Sequence, residues 1–322
     1  MTRVLEPPSA GSIDAARARL RGISLRTPLI PLAIDEAPAQ IWLKLENLQP
    51  IGSFKIRGAG NAMAAADPAD LAGGVYTASA GNMAQGVAWN ARRLGVRCRV
   101  IVPDHAPQTK VDAIRRLGGE VVKVSFDDWW QIIVTHHSRG EEGLFIHPVC
   151  SPEVIAGNAT IGSEILEDLP DVDSVVVPYG GGGLSAGIAA AIKARRPEVK
   201  ILACEVETAA PLAASLAAGE AREIEHRASF VDGIGGRSTL AEMWPLVSQL
   251  LDGSLVQTLD DVAGAIRLLA RRQHVIAEGA GATSVAAALN GEAGTGRVVC
   301  VVSGGNIDAR VLCRILAGET PD

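Results

Sequence analysis

A near-continuous apolar run, Ser174-Val175-Val176-Val177-Pro178, is followed after one residue by four glycines, Gly180 to Gly183, and then by the helix-prone stretch Leu184 to Lys193. A strand without polar alternation is covered on both faces, as in parallel sheets packed between helices. The four glycines remove every Cβ from the turn, so consecutive backbone N–H groups are free to converge on an anion beside the helix N-terminus. A flexible turn is the plainer reading, but glycines that merely break an element usually come singly. The loop is neither GxxxxGKS/T nor a GxGxxG unit with a downstream acidic ribose partner. It suits a compact monophosphate better than ATP or a dinucleotide.

The strand-then-helix rhythm runs through the whole chain. Strands are predicted at Ile41–Glu46, Val75–Ser79, Cys98–Pro103, Glu120–Val124, Val199–Val206 and Gly296–Val302, besides Ser174–Pro178. Helices are predicted from Ser12 (as N-cap) to Leu20, then over Ala59–Ala66, Gln85–Leu94, Thr109–Leu117, Ser151–Leu166, Leu184–Lys193 and Leu259–Arg271. This alternation predicts an α/β fold of two lobes, each a mostly parallel sheet flanked by helices, with a cleft between them. No internal repeat or long linker interrupts it.

Composition narrows the function classes. With 322 residues, 48% hydrophobic and 20% charged, the chain is long and apolar enough for a large α/β unit and unlike a disordered one. No stretch approaches the roughly 20 apolar residues that span a bilayer, and Met1 to Pro8 lacks the apolar core of a secretory signal. A net charge of −6 offers no electrostatic reason to expect nucleic acid. The five cysteines are scattered without a CxxC pair, which excludes a zinc cluster or disulfide framework and points to a reduced, cytoplasmic protein. Cys98, Cys204 and Cys300 read as buried thiols.

A lysine supplies the chemistry. Lys55, in Gly52-Ser53-Phe54-Lys55-Ile56-Arg57-Gly58, is placed at a strand-to-helix junction with Ser53 as cap. There the positive helix end and partial desolvation lower its pKa and favour the free amine that attacks a carbonyl. A Schiff-base lysine together with a monophosphate cradle suggests pyridoxal 5′-phosphate.

Four motifs in order, Ser53 to Gly58, Ser79-Ala80-Gly81-Asn82, Gly180 to Leu184 and Ser303-Gly304-Gly305-Asn306, resemble those of the fold-type II pyridoxal-phosphate enzymes, and within them the serine/threonine dehydratase branch that includes serine racemase. The likeness covers roughly Thr27 to Asp308. It implies a large cofactor-binding domain from 1–67 and 148–322, a small mobile domain from 68–147, and a homodimer. By position, Lys55 would hold the cofactor, Phe54 would flank its ring, and Asn82 would hydrogen-bond the ring oxygen. Gly180, Gly181, Gly182, Gly183 and Leu184 would bind the phosphate. Ser79, Ala80, Gly81, Asn82 and Met83 would take the substrate carboxylate. Ser303 would face the ring nitrogen, with Glu278 behind it. A serine there brings no negative charge to hold a proton on the nitrogen, which suits β-elimination and argues against transamination. The implied activity is removal of water from a β-hydroxy-α-amino acid such as threonine or serine, giving a 2-oxo acid and ammonia. Lys55 would be the base at Cα, and the cofactor phosphate would protonate the leaving hydroxyl.

The chain departs from the family pattern at several places. Ala80 replaces the serine that serves racemases as second acid, Met83 replaces a histidine, and the stretch His147 to Pro152 lacks the acidic residue that relatives often place near Ser151. These changes point toward a related hydroxylated amino acid, for instance one derived from hydroxyectoine or resembling 3-hydroxyaspartate. Of the divalent-metal set of some relatives only Glu207 is present, with Ala213 where an aspartate is expected, so metal is left open. His136-His137 reads as surface. The 322-residue chain runs 16 positions past Asn306, so no regulatory C-terminal domain is expected. The alternatives are a β-replacement synthase or racemase of the same fold, a nucleotide-binding oxidoreductase, and a non-catalytic ligand sensor.

Overall fold

The computed structural model describes residues 5–322. In chain order its strands are β1 (Leu29–Pro31), β2 (Gln40–Lys44), β3 (Val75–Ala78), β4 (Cys98–Pro103), β5 (Glu120–Val124), β6 (Leu144–Phe145), β7 (Ser174–Pro178), β8 (Lys200–Val206), β9 (Gly253–Gln257) and β10 (Arg297–Val301). Six of them form one sheet in the order β1-β2-β10-β7-β8-β9, antiparallel only between β1 and β2. The other four form a parallel sheet ordered β5-β4-β3-β6.

The apolar runs explain the layers. Along β7, Val175 and Val177 point into a core with Val299, Val301, Ile161 and Ile188, while Val176 points the other way to meet Leu43, Cys300, Ala263 and Val285. One face of the large sheet is thus covered by the helices Pro152–Asp168 and Gly183–Lys193, the other by Leu259–Leu268 and Gly279–Leu289. Each valine buried in this way contributes roughly 1.5–3 kcal/mol. The small sheet repeats the scheme: Val75 and Val100 pack with Val87 of the helix Asn82–Leu94, and Tyr76 and Ile101 with Ile132 and Ile133 of the helix Phe126–Thr135.

Several expectations shift in detail. The first helix begins at Ala10, capped by Ser9, whose Oγ accepts from the Ser12 N–H, so Ser12 is inside it. Ser53 stands one residue before the helical Phe54 cap position and reaches only the Lys55 N–H, at 3.4 Å. The helix from Leu259 ends at Leu268 and widens into a π-turn over Leu269–Gln273. Cys98, Cys204 and Cys300 are buried as expected, and Cys150 joins them.

Beneath the Lys55 helix (Lys55–Ala65) lies a buried ionic network. The Arg57 guanidinium, 1% exposed, donates to both oxygens of Glu46 (2.9 and 2.8 Å) and both of Glu164 (2.7 and 2.9 Å), and also to Thr160 Oγ1 and the Leu25 carbonyl. Lys44 Nζ donates to Glu164 Oε2 at 2.6 Å and to the Thr27 carbonyl at 2.7 Å. Arg57 and Lys44 balance Glu46 and Glu164 in charge, and Asp168, 4.0 Å from Lys44 Nζ, is balanced in turn by Arg26. Removing one member leaves a buried charge without its partner, a loss of about 3–5 kcal/mol. Arg57→Met is therefore expected to destabilise the cofactor-free protein by that amount, read as a fall in the urea midpoint at unchanged slope.

Candidate active site

The carboxyl ends of parallel strands are where such sheets bind ligands. Three neighbours in the large sheet, β2, β10 and β7, lead at those ends into the Lys55 segment, into Ser303-Gly304-Gly305-Asn306, and into the four glycines. The first two segments are laced together: Phe54 N–H donates to the Ser303 carbonyl at 3.0 Å and Gly305 N–H to the Gly52 carbonyl at 2.9 Å. From the small sheet, β3 ends in Ser79 to Asn82. All these segments border one cavity of about 320 Å³. The structure thereby brings together Phe54, Lys55, Ser79, Ala80, Gly81, Asn82, Met83, Gly180, Gly181, Gly182, Gly183, Leu184, Glu278 and Ser303. Met83 stands apart among them, because its side chain is 1% exposed and belongs to the core with Ala84 and Val87.

Lys55 is the first residue of its helix, and its Nζ donates to the Pro148 carbonyl at 3.0 Å. Desolvation lowers its pKa to about 8, partly offset by the Glu278 carboxylate. Near neutrality roughly a tenth of the amine is then unprotonated, against under a thousandth for an ordinary lysine, and the free amine is the form a carbonyl-attacking nucleophile requires.

The glycine loop fits a phosphate. Gly182, in the left-handed region at φ +93°, is the N-cap of Gly183–Lys193, and no side chain occupies the cap. A Cβ on Gly181 would lie 2.5 Å from Val149 Cγ2. The first N–H groups of that helix therefore face the cavity without a side-chain acceptor. The second loop is built alike: Gly81 is the N-cap of Asn82–Leu94 and offers no side-chain oxygen, which leaves this helix end to an anion. Two anion-ready helix ends and a desolvated lysine on one cavity fit pyridoxal phosphate carrying an amino acid.

Glu278, at the N-cap of Gly279–Leu289, is buried, and desolvation followed by Asp232 pushes its carboxyl up to about 7. Its Oε1 accepts from Asn82 Nδ2 at 2.8 Å. At the cavity mouth Lys110 Nζ and Asp232 Oδ2 pair at 2.6 Å, and both residues line the cavity.

Sequence reasoning missed His147. Its Nδ1 accepts from the Val149 and Cys150 N–H groups (3.0 and 2.7 Å) and its Nε2 donates to the Ile133 carbonyl at 3.0 Å. Burial, then His136, lowers its pKa to about 3, so it stays neutral. It thereby fixes the turn that sets Pro148 against Lys55 and Val149 against Gly181. A histidine followed by Pro-Val-Cys gave no sequence signal for this. His136, read as surface, is half-buried: its Nε2 meets Glu242 Oε1 at 2.7 Å, and its ring lies against His147 in a tilted contact with centroids 4.2 Å apart. His136, His147 and Glu242 bring ligand-type atoms within 4.8 Å of one another. Both His147 nitrogens are already engaged and the two rings pack in tilted contact, so this trio serves as a brace. Glu207 spends its Oε1 on the Leu259 N–H at 3.0 Å, at the start of a helix.

Cofactor-free protein mixed with an aldehyde reagent is expected to be modified at Lys55 at a rate that climbs toward pH of about 8 and then levels. An ordinary lysine would keep climbing to about 10.4. Peptide mapping of the borohydride-reduced adduct across pH checks this.

The family model of pyridoxal-phosphate dependent enzymes matches residues 21–304. An L-threonine ammonia-lyase of Thermotoga maritima is 40% identical over 94% of this chain and 77% of its own. Among solved structures, maize serine racemase superposes with a TM-score of 0.87 at 30% identity, covering 97% of this chain and 98% of its own. The processed form of threonine deaminase isoform 2 from Solanum lycopersicum gives 0.85 at 32% identity, covering 99% and 98%.

Proposed function

The chain belongs to the pyridoxal-phosphate dependent enzyme family, and from that we propose that it is an ammonia-lyase that removes water from a β-hydroxy-α-amino acid to give a 2-oxo acid and ammonia. The observation that carries this reading is that a single desolvated amine, Lys55, shares the cavity with the two anion-ready helix ends, while the loop residue Ala80 has no proton to give. Racemisation needs an acid or base on each face of Cα; elimination needs one base and a leaving group. The threonine-lyase names of the relatives support the same choice.

When bound, pyridoxal phosphate supplies an electron sink conjugated with the substrate amine. In this reading the N–H groups of Gly180 to Leu184 hold its phosphate, Asn82 donates to its ring oxygen, Phe54 flanks the ring, and the uncharged Ser303 hydroxyl faces the ring nitrogen. The Ser79-to-Met83 loop takes the substrate carboxylate at the end of the Asn82 helix. Lys55, free once substrate is seated, takes the Cα proton onto Nζ. The Pro148 carbonyl keeps that amine oriented. Residues 68–147 would form the small mobile domain, closing on the larger one to exclude water, and the family pattern supports a homodimer.

The test is a turnover panel on cofactor-loaded protein with L-serine, L-threonine, their D-forms, 3-hydroxyaspartates and hydroxyectoine-derived amino acids, assayed for 2-oxo acid and ammonia. One of them should be turned over, and Lys55→Ala should lower that rate by about 10²–10⁴-fold or more, the usual worth of a positioned base. Exchange of the Cα hydrogen with solvent without ammonia release would favour a racemase instead.

A further inference from the structure

The amide of Asn82 is gripped from two sides. Its Oδ1 accepts from Asn306 Nδ2 at 2.8 Å, and its Nδ2 donates to Glu278 Oε1 at 2.8 Å. Asn306 Nδ2 donates in addition to the Ile51 carbonyl at 2.8 Å. That carbonyl only accepts, so it settles which way the Asn306 amide faces, and Asn306 in turn settles Asn82. Were Asn82 turned over, its NH₂ would face the NH₂ of Asn306, which is repulsive, and its oxygen would face the Glu278 carboxylate, repulsive whenever that group is ionised. One hydrogen on Asn82 Nδ2 remains after Glu278 is served, and Asn82 borders the cavity.

The surroundings are shaped to admit this grip. A Cβ on Gly304 would lie 2.3 Å from Glu278 Oε1 and 3.3 Å from Asn82 Nδ2. The partners come from separate places: Asn82 follows β3 of the small sheet, whereas Ile51, Glu278 and Asn306 flank the large one. The charged groups facing Glu278 are Lys55, Asp232 and Lys110.

We propose that Glu278 and Asn306 are positioning residues for the reaction, holding the Asn82 amide so that the cavity meets an N–H donor and no carbonyl oxygen. This rests on the reading above, in which that donor serves the ring oxygen of the cofactor. Glu278 acts here as a hydrogen-bond acceptor, a role a glutamine also fills, and Asn306 acts as a donor, a role an aspartate reverses.

The experiment compares the holoenzyme with Asn306→Asp, Glu278→Ala and Glu278→Gln, following the visible cofactor band, cofactor retention against dialysis, and thermal melting. Asn306→Asp and Glu278→Ala are expected to shift the band and weaken retention by about three- to tenfold, the worth of one hydrogen bond. Glu278→Gln is expected to stay within about twofold of the parent. A band and retention unchanged in Asn306→Asp, even with a lowered melting temperature, would overturn the proposal. So would a Glu278→Gln variant as impaired as Glu278→Ala, which would make charge the operative property. Asn306 lies at the exposed rim, so its variant decides the matter even where Glu278→Ala fails to fold. A parent that shows no cofactor band takes down the functional reading itself, whereas a parent with the band and indifferent variants refutes only this inference.

Discussion

The bidentate grip of Arg57 on Glu46 and Glu164 is the constraint on which the site depends. Glu46 follows β2, Glu164 lies near the end of the long helix Pro152–Asp168, and Arg57 is two residues past Lys55. Tying these three fixes the rotation and height of the Lys55 helix against the sheet. A hydrophobic contact would hold the helix nearly as firmly, but it is non-directional and would leave its rotation less well specified. Buried ion pairs gain little net stability over apolar packing, so the value of this one lies in orientation.

Lys55, the four-glycine loop and Ser303 lie far apart in sequence, yet the strands before them are adjacent. Register does the rest: Val301 lies opposite Lys44, and Cys300 opposite Val176. The three loops therefore leave the sheet at a common level; the glycines and Ser303 reach the cavity within a few residues of their strands, and Lys55 after a longer loop that the Ser303 segment laces in place. Glycine loops that present backbone to ligand need this rigid launching point, because the loops themselves have little side-chain packing to hold them.

Much of this was legible in the sequence, for identifiable reasons. Strands β4, β5 and β7 were read to the residue: β7 is buried along its whole length and apolar in its centre, while β4 and the edge strand β5 carry runs of β-branched residues, β5 closely preceded by the glycine pair Gly118-Gly119. The edge strands β1, β6 and β9 escaped notice: β1 contains a proline, β6 has two residues, and β9 is largely solvated. Lys55 and the glycine loop were legible because their chemistry is local, a nucleophile or a cradle built from consecutive residues. The partners of Asn82 and Arg57, and the bracing by His147, were not. Each depends on groups joined only by the folded topology; Asn82 and Glu278, for example, are 196 positions apart. His136 was misread as surface for a related reason: it ends a helix in the left-handed region and turns inward to Glu242, a partner 106 positions away.

The strand order has a consequence for how the protein comes into being. β10 is inserted between β2 and β7, so until residues 297–301 are made, the β1–β2 pair and the β7–β8 pair have no common sheet. A nascent chain stopping short of them lacks Ser303, Asn306 and the lacing that holds the Lys55 segment. The small sheet, complete by residue 145, has no such dependence. The strands of the minor sheet are thus available early, although its core also takes Val154 from the following helix, while until residues 297–301 are made the major sheet exists as two open-edged pairs, the kind of surface that invites chaperones. The cavity has its full lining only once residues 297–306 are in place, so a complete cofactor site requires nearly the whole described chain.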